Sequence, residues 1–245
     1  MMVTLNKENQ FSEVRKRLGR AKRAAALTGA GISAESGVPT FRGPEGLWKN
    51  FRPEDLATPE AFARDPRLVW EWYNWRRGRI APCAPNLAHH ALVTLEQKIP
   101  DFTLITQNVD GLHRRAGSRK VLHLHGTIWE VRCPGCGRVE ENRDPELAYP
   151  PLCPDCRGLL RPNVVWFGEA LDPAILARAE EALEQCEILL VAGTSAVVQP
   201  AASMALWAKR AGAYVVEINL EPTSLSRAVD ISFQGKAGEI LPRLL

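Results

Sequence analysis

Four cysteines stand as two pairs, Cys133-Pro-Gly-Cys136 and Cys153-Pro-Asp-Cys156, with sixteen residues between the pairs. No other feature restricts the fold of this chain as strongly. Each pair can close one tight turn on a metal, and the two turns together supply four thiolates. That is the ligand set of a closed tetrahedral zinc site. Such a site keeps no open coordination position, so it builds structure and performs no chemistry. Two disulfides or a redox CxxC are the competing readings. Disulfides fit poorly, because no apolar signal segment opens the chain. The expectation is one structural zinc ion held by Cys133, Cys136, Cys153 and Cys156, and a reaction centred elsewhere.

The remaining sequence alternates apolar runs with helical stretches. Ala24–Thr28, Phe102–Thr106, Ile188–Ala192, Tyr214–Ile218 and Ile231–Phe233 read as buried strands. Phe11–Leu18, Leu87–Gln97, Pro173–Gln185 and Pro200–Ala211 read as helices. This alternation predicts an α/β fold, a Rossmann-like doubly wound parallel sheet with helices on both faces. Two segments break the rhythm. Thr58–Arg79 is aromatic-rich and helical, and residues 132–161 are the Pro/Gly-rich cysteine segment. Both read as insertions into a single catalytic domain. The expected Rossmann-like part comprises residues 1–48, 80–131 and 162–245, and a smaller domain comprises a helical module (49–79) and a zinc module (132–161).

Composition narrows the function classes. The chain has 245 residues, 45% hydrophobic and 24% charged, with a net charge of +3. That is ordinary for a soluble enzyme and too mild to imply nucleic-acid binding. The segment 188–208 carries no charge, but Gly193-Thr194-Ser195 and Gln199-Pro200 break it into a strand, a loop and a new helix. No membrane association is expected. A cytoplasmic monomer is.

The first strand runs into Gly29-Ala30-Gly31-Ile32-Ser33-Ala34, a G-x-G-x-x-A turn opening a helix. Glycines there let the backbone approach a pyrophosphate, and free N–H groups bind its charge. The pattern departs from a dehydrogenase. The acidic residue expected about 20 positions further on, at a second strand's end, is absent. Instead the turn continues as GAGISAESGVPTFRG, with Arg42 in a loop able to fold over a phosphate. Later come Gln107-Asn108-Val109-Asp110 after a strand, and Leu124-His125-Gly126. Strand ends are where open α/β sheets bind ligands. His123 stands two residues from His125, and on one strand both would face the same way, so geometry alone does not choose between them.

With GAGIS, FRG, TQNVD, LHG, the two CxxC pairs, RPNVVWFGE, GTS and INLE in this order, the chain resembles the sirtuins, NAD-dependent protein-lysine deacylases. The resemblance spans nearly the whole chain. It implies that His125 is the catalytic base. Gly29, Ala30, Gly31, Ser33, Ala34, Thr40, Phe41 and Arg42 would belong to the cofactor loop. Gln107, Asn108, Val109 and Asp110 would surround the nicotinamide and its ribose. Gly193, Thr194, Ser195, Asn219, Leu220, Glu221 and Ala237 would hold the adenosine half. Val165, Trp166, Phe167 and Gly168 would form the strand that pairs with an acylated-lysine peptide. NAD would be consumed: nicotinamide leaves as the acyl oxygen attacks the ribose, and lysine and O-acyl-ADP-ribose are released.

Within the resemblance, Tyr73 and Arg76 occupy i and i+3 of EWYNWRR, one helix face. A branch of the family that removes succinyl, malonyl or glutaryl groups carries Y-x-x-R at this place, where the pair binds the acyl carboxylate. Ala57 matches a small residue that leaves room for the longer group, and Thr40 also follows that branch. The expectation is removal of acidic acyl groups together with acetyl. The alternatives are a plain deacetylase, a protein mono-ADP-ribosyltransferase on the same fold, and a non-enzymatic zinc-ribbon binding module.

Overall fold

The computed structural model describes residues 7–41, 47, 52–148 and 150–245. Its strands are β1 (Arg23–Thr28), β2 (Asp101–Thr106), β3 (Val121–His123), β4 (Gly126–Arg132), β5 (Val139–Glu141), β6 (Arg161–Val164), β7 (Ile188–Ala192), β8 (Tyr214–Asn219) and β9 (Ile231–Gln234). Its α-helices are α1 (Lys7–Arg20), α2 (Pro53–Leu56), α3 (Pro59–Arg64), α4 (Pro66–Ile80), α5 (Leu87–Lys98), α6 (Leu112–Ala116), α7 (Pro173–Gln185), α8 (Ala201–Arg210) and α9 (Ala237–Ile240).

Six strands form one parallel sheet in the order β3-β2-β1-β7-β8-β9. Counting only these strands along the chain gives 3-2-1-4-5-6, the dinucleotide-binding order, whose reversal point lies between β1 and β7. The central strands are buried on both faces, as parallel sheets require. Alternate residues serve opposite cores. Ala24, Ala26, Leu104, Leu190 and Val216 pack with α1, α5 and α9. Ala25, Leu27, Ile105, Leu189 and Val215 pack with α7 and α8.

The smaller part has its own core, in which Val69, Trp70 and Tyr73 of α4 meet Ile128, Val131, Cys133, Cys153 and Leu160. The antiparallel sheet β5-β4-β6 underlies it and runs from Gly126 to Val164, beyond the cysteine segment itself. The aromatic segment Thr58–Arg79 does not form one helix. Thr58 caps α3 by accepting the Ala61 N–H at 3.1 Å, and Asp65 caps α4 by accepting the Leu68 N–H at 3.0 Å. Pro66 explains the break: it cannot donate within a continuing helix but suits the first turn of a new one. The charge-free segment 188–208 divides into β7, a loop and α8, and no helix among the described residues is long and apolar enough to cross a membrane.

Candidate functional site

The carboxyl ends of β1, β7 and β8 meet at one cavity, and the chain after β2 is hydrogen-bonded to its loops through Gln107 and Asn108. The glycine turn after β1 becomes a 3-10 helix, Ala30–Ser36, and two of its N–H groups are committed within the chain. The N–H of Gly29 donates to Ala192 O at 3.0 Å, and that of Gly31 to Gly193 O at 2.8 Å. Neither remains free for a pyrophosphate. Here the glycines serve close approach between two loops. Gly193 has φ +64, and a Cβ on it would stand 2.3 Å from Ile32 N. That contact requires glycine on backbone grounds and on steric grounds.

Between the loops lies a cavity of about 320 Å³, lined by Gly31, Ala34, Glu35, Gly193, Asn219, Leu220, Lys236 and Ala237 among others. A mostly apolar cleft walled by backbone glycines fits the flat adenosine half of a dinucleotide. Asn219 donates to Thr194 O at 2.9 Å, and Thr194 Oγ1 accepts from Gln107 Nε2 at 2.9 Å, so the two halves of the expected cofactor site are bonded together. Ser195 and Glu221 are exposed at the rim and do not line the cavity. Glu35 was not foreseen. It lines the cavity and accepts the Gly238 N–H at 2.8 Å, tying the 3-10 turn to α9. An acidic residue within the first turns after a glycine loop was its only signal. Arg42 lies outside the described residues.

After β2, Asn108 and Asp110 are buried and joined through Ser33. Ser33 Oγ donates to Asp110 Oδ2 at 2.7 Å, and Asn108 Nδ2 donates to Ser33 Oγ at 3.2 Å and to Gly29 O at 3.1 Å. Burial raises the Asp110 carboxyl above its usual range, opposed by hydrogen bonds from Leu112 N–H and Ser33 and by the charges of Arg76 and Arg115.

His123 and His125 do not share a strand. β3 ends at His123, and His125 occupies the turn into β4. Gly126 makes the turn possible: its φ is +72, and a Cβ there would lie 2.1 Å from Asn163 O. His125 Nδ1 stands 3.1 Å from Gln107 O. A carbonyl only accepts, so Nδ1 carries the hydrogen and the Nε2 lone pair is left for a proton. Burial lowers the His125 pKa below 6.5, opposed by this hydrogen bond, so the ring is neutral near pH 7. In His123, Nδ1 is buried with no hydrogen-bond partner among the described residues. The local geometry thus separates two histidines that strand periodicity would have made equivalent.

The expected substrate residues assemble beside His125. Val165 N–H donates to His125 O at 3.0 Å, and Phe167 N–H donates to Ala57 O at 3.0 Å. The stretch 165–168 is not itself a strand; β6 ends at Val164, and Gly168 turns the chain with φ +86. The N–H groups of Val165, Trp166 and Phe167 are all committed within the chain. Tyr73 and Arg76 sit below this stretch, 1% and 6% exposed. The Arg76 guanidinium lies 4.8 Å from the ring centres of Phe41 and Trp72, and 5.7 Å from that of Tyr73. Tyr73 OH accepts from Trp166 Nε1 at 2.8 Å.

The four cysteine sulfurs lie within 4.8 Å of one another, with Cys133–Cys156 at 3.4 Å and Cys136–Cys153 at 3.6 Å. Disulfide sulfurs would stand at about 2.05 Å. Zinc–thiolate bonds of about 2.3 Å in a tetrahedron place sulfurs about 3.8 Å apart. The cluster therefore fits one zinc ion, and two matched turns present it: Gly137 N–H to Cys133 O at 2.9 Å and Arg157 N–H to Cys153 O at 3.0 Å.

Comparison with known proteins agrees with this geometry. The sequence profile described as the Sir2 family matches residues 29–200. NAD-dependent protein deacylase 2 of Pyrobaculum aerophilum is 55% identical over 228 residues, covering 93% of this chain and 92% of its own. A solved Sir2 homologue in complex with NAD superposes with a TM-score of 0.90 at 50% identity, over 95% of this chain and 91% of that one. A solved Sir2Af2 bound to a myristoylated histone peptide superposes with a TM-score of 0.79 at 35% identity, over 97% and 95%.

Proposed function

We propose that this chain, which belongs to the Sir2 family and is an NAD-dependent protein deacylase, prefers lysines whose acyl group ends in a carboxylate, such as succinyl or malonyl. One observation carries the preference. Two donor groups stand buried and close together, the Arg76 guanidinium 5.7 Å from the Tyr73 ring centre, and among the described residues neither has an acceptor. Arg76 is buried among aromatic rings, and among the described residues no carboxylate stands within ion-pairing distance of it, the Asp110 charge acting on it only from further off. An unpaired buried charge is costly, which favours a ligand that supplies the counter-charge. The Tyr73 hydroxyl already accepts from Trp166, so its own hydrogen is left to give. Burial raises the Tyr73 pKa above 10, against the pull of Arg76 and Trp166, so that hydrogen stays in place at neutral pH. A carboxylate satisfies both donors, Arg76 with two parallel N–H bonds and Tyr73 with a third. The methyl of an acetyl group satisfies neither.

NAD supplies the ribose carbon that receives the acyl oxygen as nicotinamide leaves. The chain's residues do the remaining work. Gln107 O holds His125 in the tautomer whose Nε2 can take a proton from a ribose hydroxyl. Ser33, Asn108 and Asp110 form a prearranged polar wall at the expected nicotinamide end. The stretch 165–168 brings the peptide beside His125. One solved relative, Sir2Af2, is bound to a myristoylated histone peptide, an acyl chain that ends in no carboxylate. In this reading, selectivity rests on the groups that meet the end of the acyl chain, Tyr73 and Arg76.

The test compares kcat/KM on succinyl- and acetyl-lysine versions of one peptide, before and after Arg76→Met. Losing one partner of a desolvated charge pair costs about 2–5 kcal/mol, so the succinyl-to-acetyl ratio should fall by roughly thirty-fold to several-thousand-fold. Tyr73→Phe should lower it less. An unchanged ratio in Arg76→Met would make the protein an ordinary deacetylase. Nicotinamide release in step with lysine unmasking separates deacylation from ADP-ribosyl transfer.

A further inference from the structure

Tyr73 is oriented from outside its own helix. Its hydroxyl accepts the 2.8 Å bond from Trp166 Nε1, and an indole N–H can only donate. The bond occupies one lone pair and turns the phenolic hydrogen away from Trp166. Trp166 is 3% exposed and is fixed in turn. The Arg161 guanidinium lies 3.2 Å over its ring centre, the Phe62 ring packs at 5.4 Å, and its backbone N–H donates to Glu169 Oε2 at 2.8 Å. Arg161, 5% exposed, grips both Glu169 oxygens, the Nη2–Oε2 bond being 2.9 Å, and also donates to Val164 O at 2.9 Å. Arg132 adds a 3.1 Å bond to Glu169 from β4.

The hydrogen bonds of this unit go neither to the cysteines nor to residues lining the cofactor cavity, although Trp166 shares a core with Cys133 and Cys153. Stability alone explains it poorly, since apolar replacements for a buried ion pair are often neutral or stabilising. Its geometric effect is specific: a planar guanidinium clamped by a carboxylate sets the plane of the indole, and the indole sets the phenol. We propose that Glu169, Arg161 and Trp166 act as positioning residues for acyl selectivity, holding the Tyr73 hydroxyl with its hydrogen directed toward the acyl carboxylate. The inference rests on the acidic-acyl reading of the pocket.

The experiment measures kcat/KM on the same succinyl- and acetyl-lysine peptides for Trp166→Phe, Tyr73→Phe, the double variant and Glu169→Gln. Trp166→Phe keeps a ring and removes the N–H. The succinyl-to-acetyl ratio should fall about three- to tenfold, the scale of one hydrogen bond. The fall should appear chiefly in the KM for the succinyl peptide. In the Tyr73→Phe background, Trp166→Phe should cause no further fall in the ratio, because the two residues then act through one group. Glu169 lies outside the residues expected to meet the peptide, and Glu169→Gln should lower the ratio in the same direction. A merely structural role would depress both efficiencies together, and an unchanged ratio in Trp166→Phe and Glu169→Gln overturns the proposal. A full additional fall in the double variant overturns it as well. Arg76→Met tells the two failures apart. If it collapses the ratio while Trp166→Phe does not, only the positioning role fails. If it leaves the ratio unchanged, the acidic-acyl reading falls and takes this inference with it.

Discussion

At the scale of single residues, the proposed base, His125, is prepared by one hydrogen bond. His125 donates from Nδ1 to Gln107 O, and the opposite nitrogen is thereby prepared to accept. His125→Ala should lower turnover about 10²–10⁴-fold, the usual contribution of a general base, while NAD affinity measured by calorimetry stays close to wild type. His123→Ala should be much milder; the reverse order would move the base to β3. The ring's burial also fixes the pH response. As pH falls, His125 protonates and loses its lone pair, and because its pKa is lowered, the acid limb of kcat/KM should lie below pH 6.5. A limb above 6.5 would contradict a neutral buried ring. The residue pair 123/125 also marks where sequence stops being informative. Period-two reasoning makes them equivalent, and only the LHG resemblance selected His125. The structure supplies the physical difference, since the strand ends between them.

At the scale of elements, most strands and helices of the large sheet were readable because each is an apolar run or an apolar-periodic stretch, and the observed bounds differ by a residue or two except at α1, which begins at Lys7, four residues before the expected Phe11. Short irregular pieces were not. β3 has three residues, the glycine turn forms a 3-10 helix with the Gly29 and Gly31 N–H groups spent on the neighbouring loop, and residues 165–168 are irregular chain ending in a turn, held by His125 and Ala57. Each is decided by tertiary hydrogen bonds between segments far apart in sequence, which no local pattern encodes. The turn between β3 and β4 gives a test of this view. Gly126→Ala would place a Cβ 2.1 Å from Asn163 O at a backbone angle of φ +72. The backbone conformation alone costs about 1–3 kcal/mol, and the overlap forces β4 and β6 apart. The urea midpoint should drop, and deacylation should fall further than stability does, because His125 O also anchors Val165. A variant with an unchanged midpoint and full turnover would mean that the β4–β6 approach is unimportant.

At the scale of the molecule, the metal module and the reaction centre are one mechanical unit. The closed four-thiolate set leaves zinc no position for substrate, so its influence on catalysis has to pass through structure. A path is present. Cys133 follows directly from β4, and β4 reaches back to the cofactor cleft: Ile128 N–H donates to Val109 O at 2.9 Å, and Trp129 Nε1 donates to Asp110 O at 2.7 Å. Cys133 and Cys153 are buried within the same core as Trp70, Tyr73 and Trp166, so that core depends on the cysteine turns being closed. Structural zinc sites contribute about 10–16 kcal/mol of apparent binding free energy in small peptides, more than the whole stability of most domains. Metal removal should therefore undo the β5-β4-β6 sheet and its tryptophan packing while the parallel sheet, with its two separate cores, keeps more of its structure. The measurements are metal content per chain, tryptophan fluorescence and near-UV dichroism, far-UV dichroism and turnover, taken before and after chelation and again after zinc is restored. The expected result is one zinc per chain, loss of the tryptophan signals and of activity together, and recovery of both on adding zinc. Cys153→Ser should reproduce the metal-free state without a chelator. Full turnover with native tryptophan signals in a verified metal-free sample would break the link between the cysteine turns and Asp110.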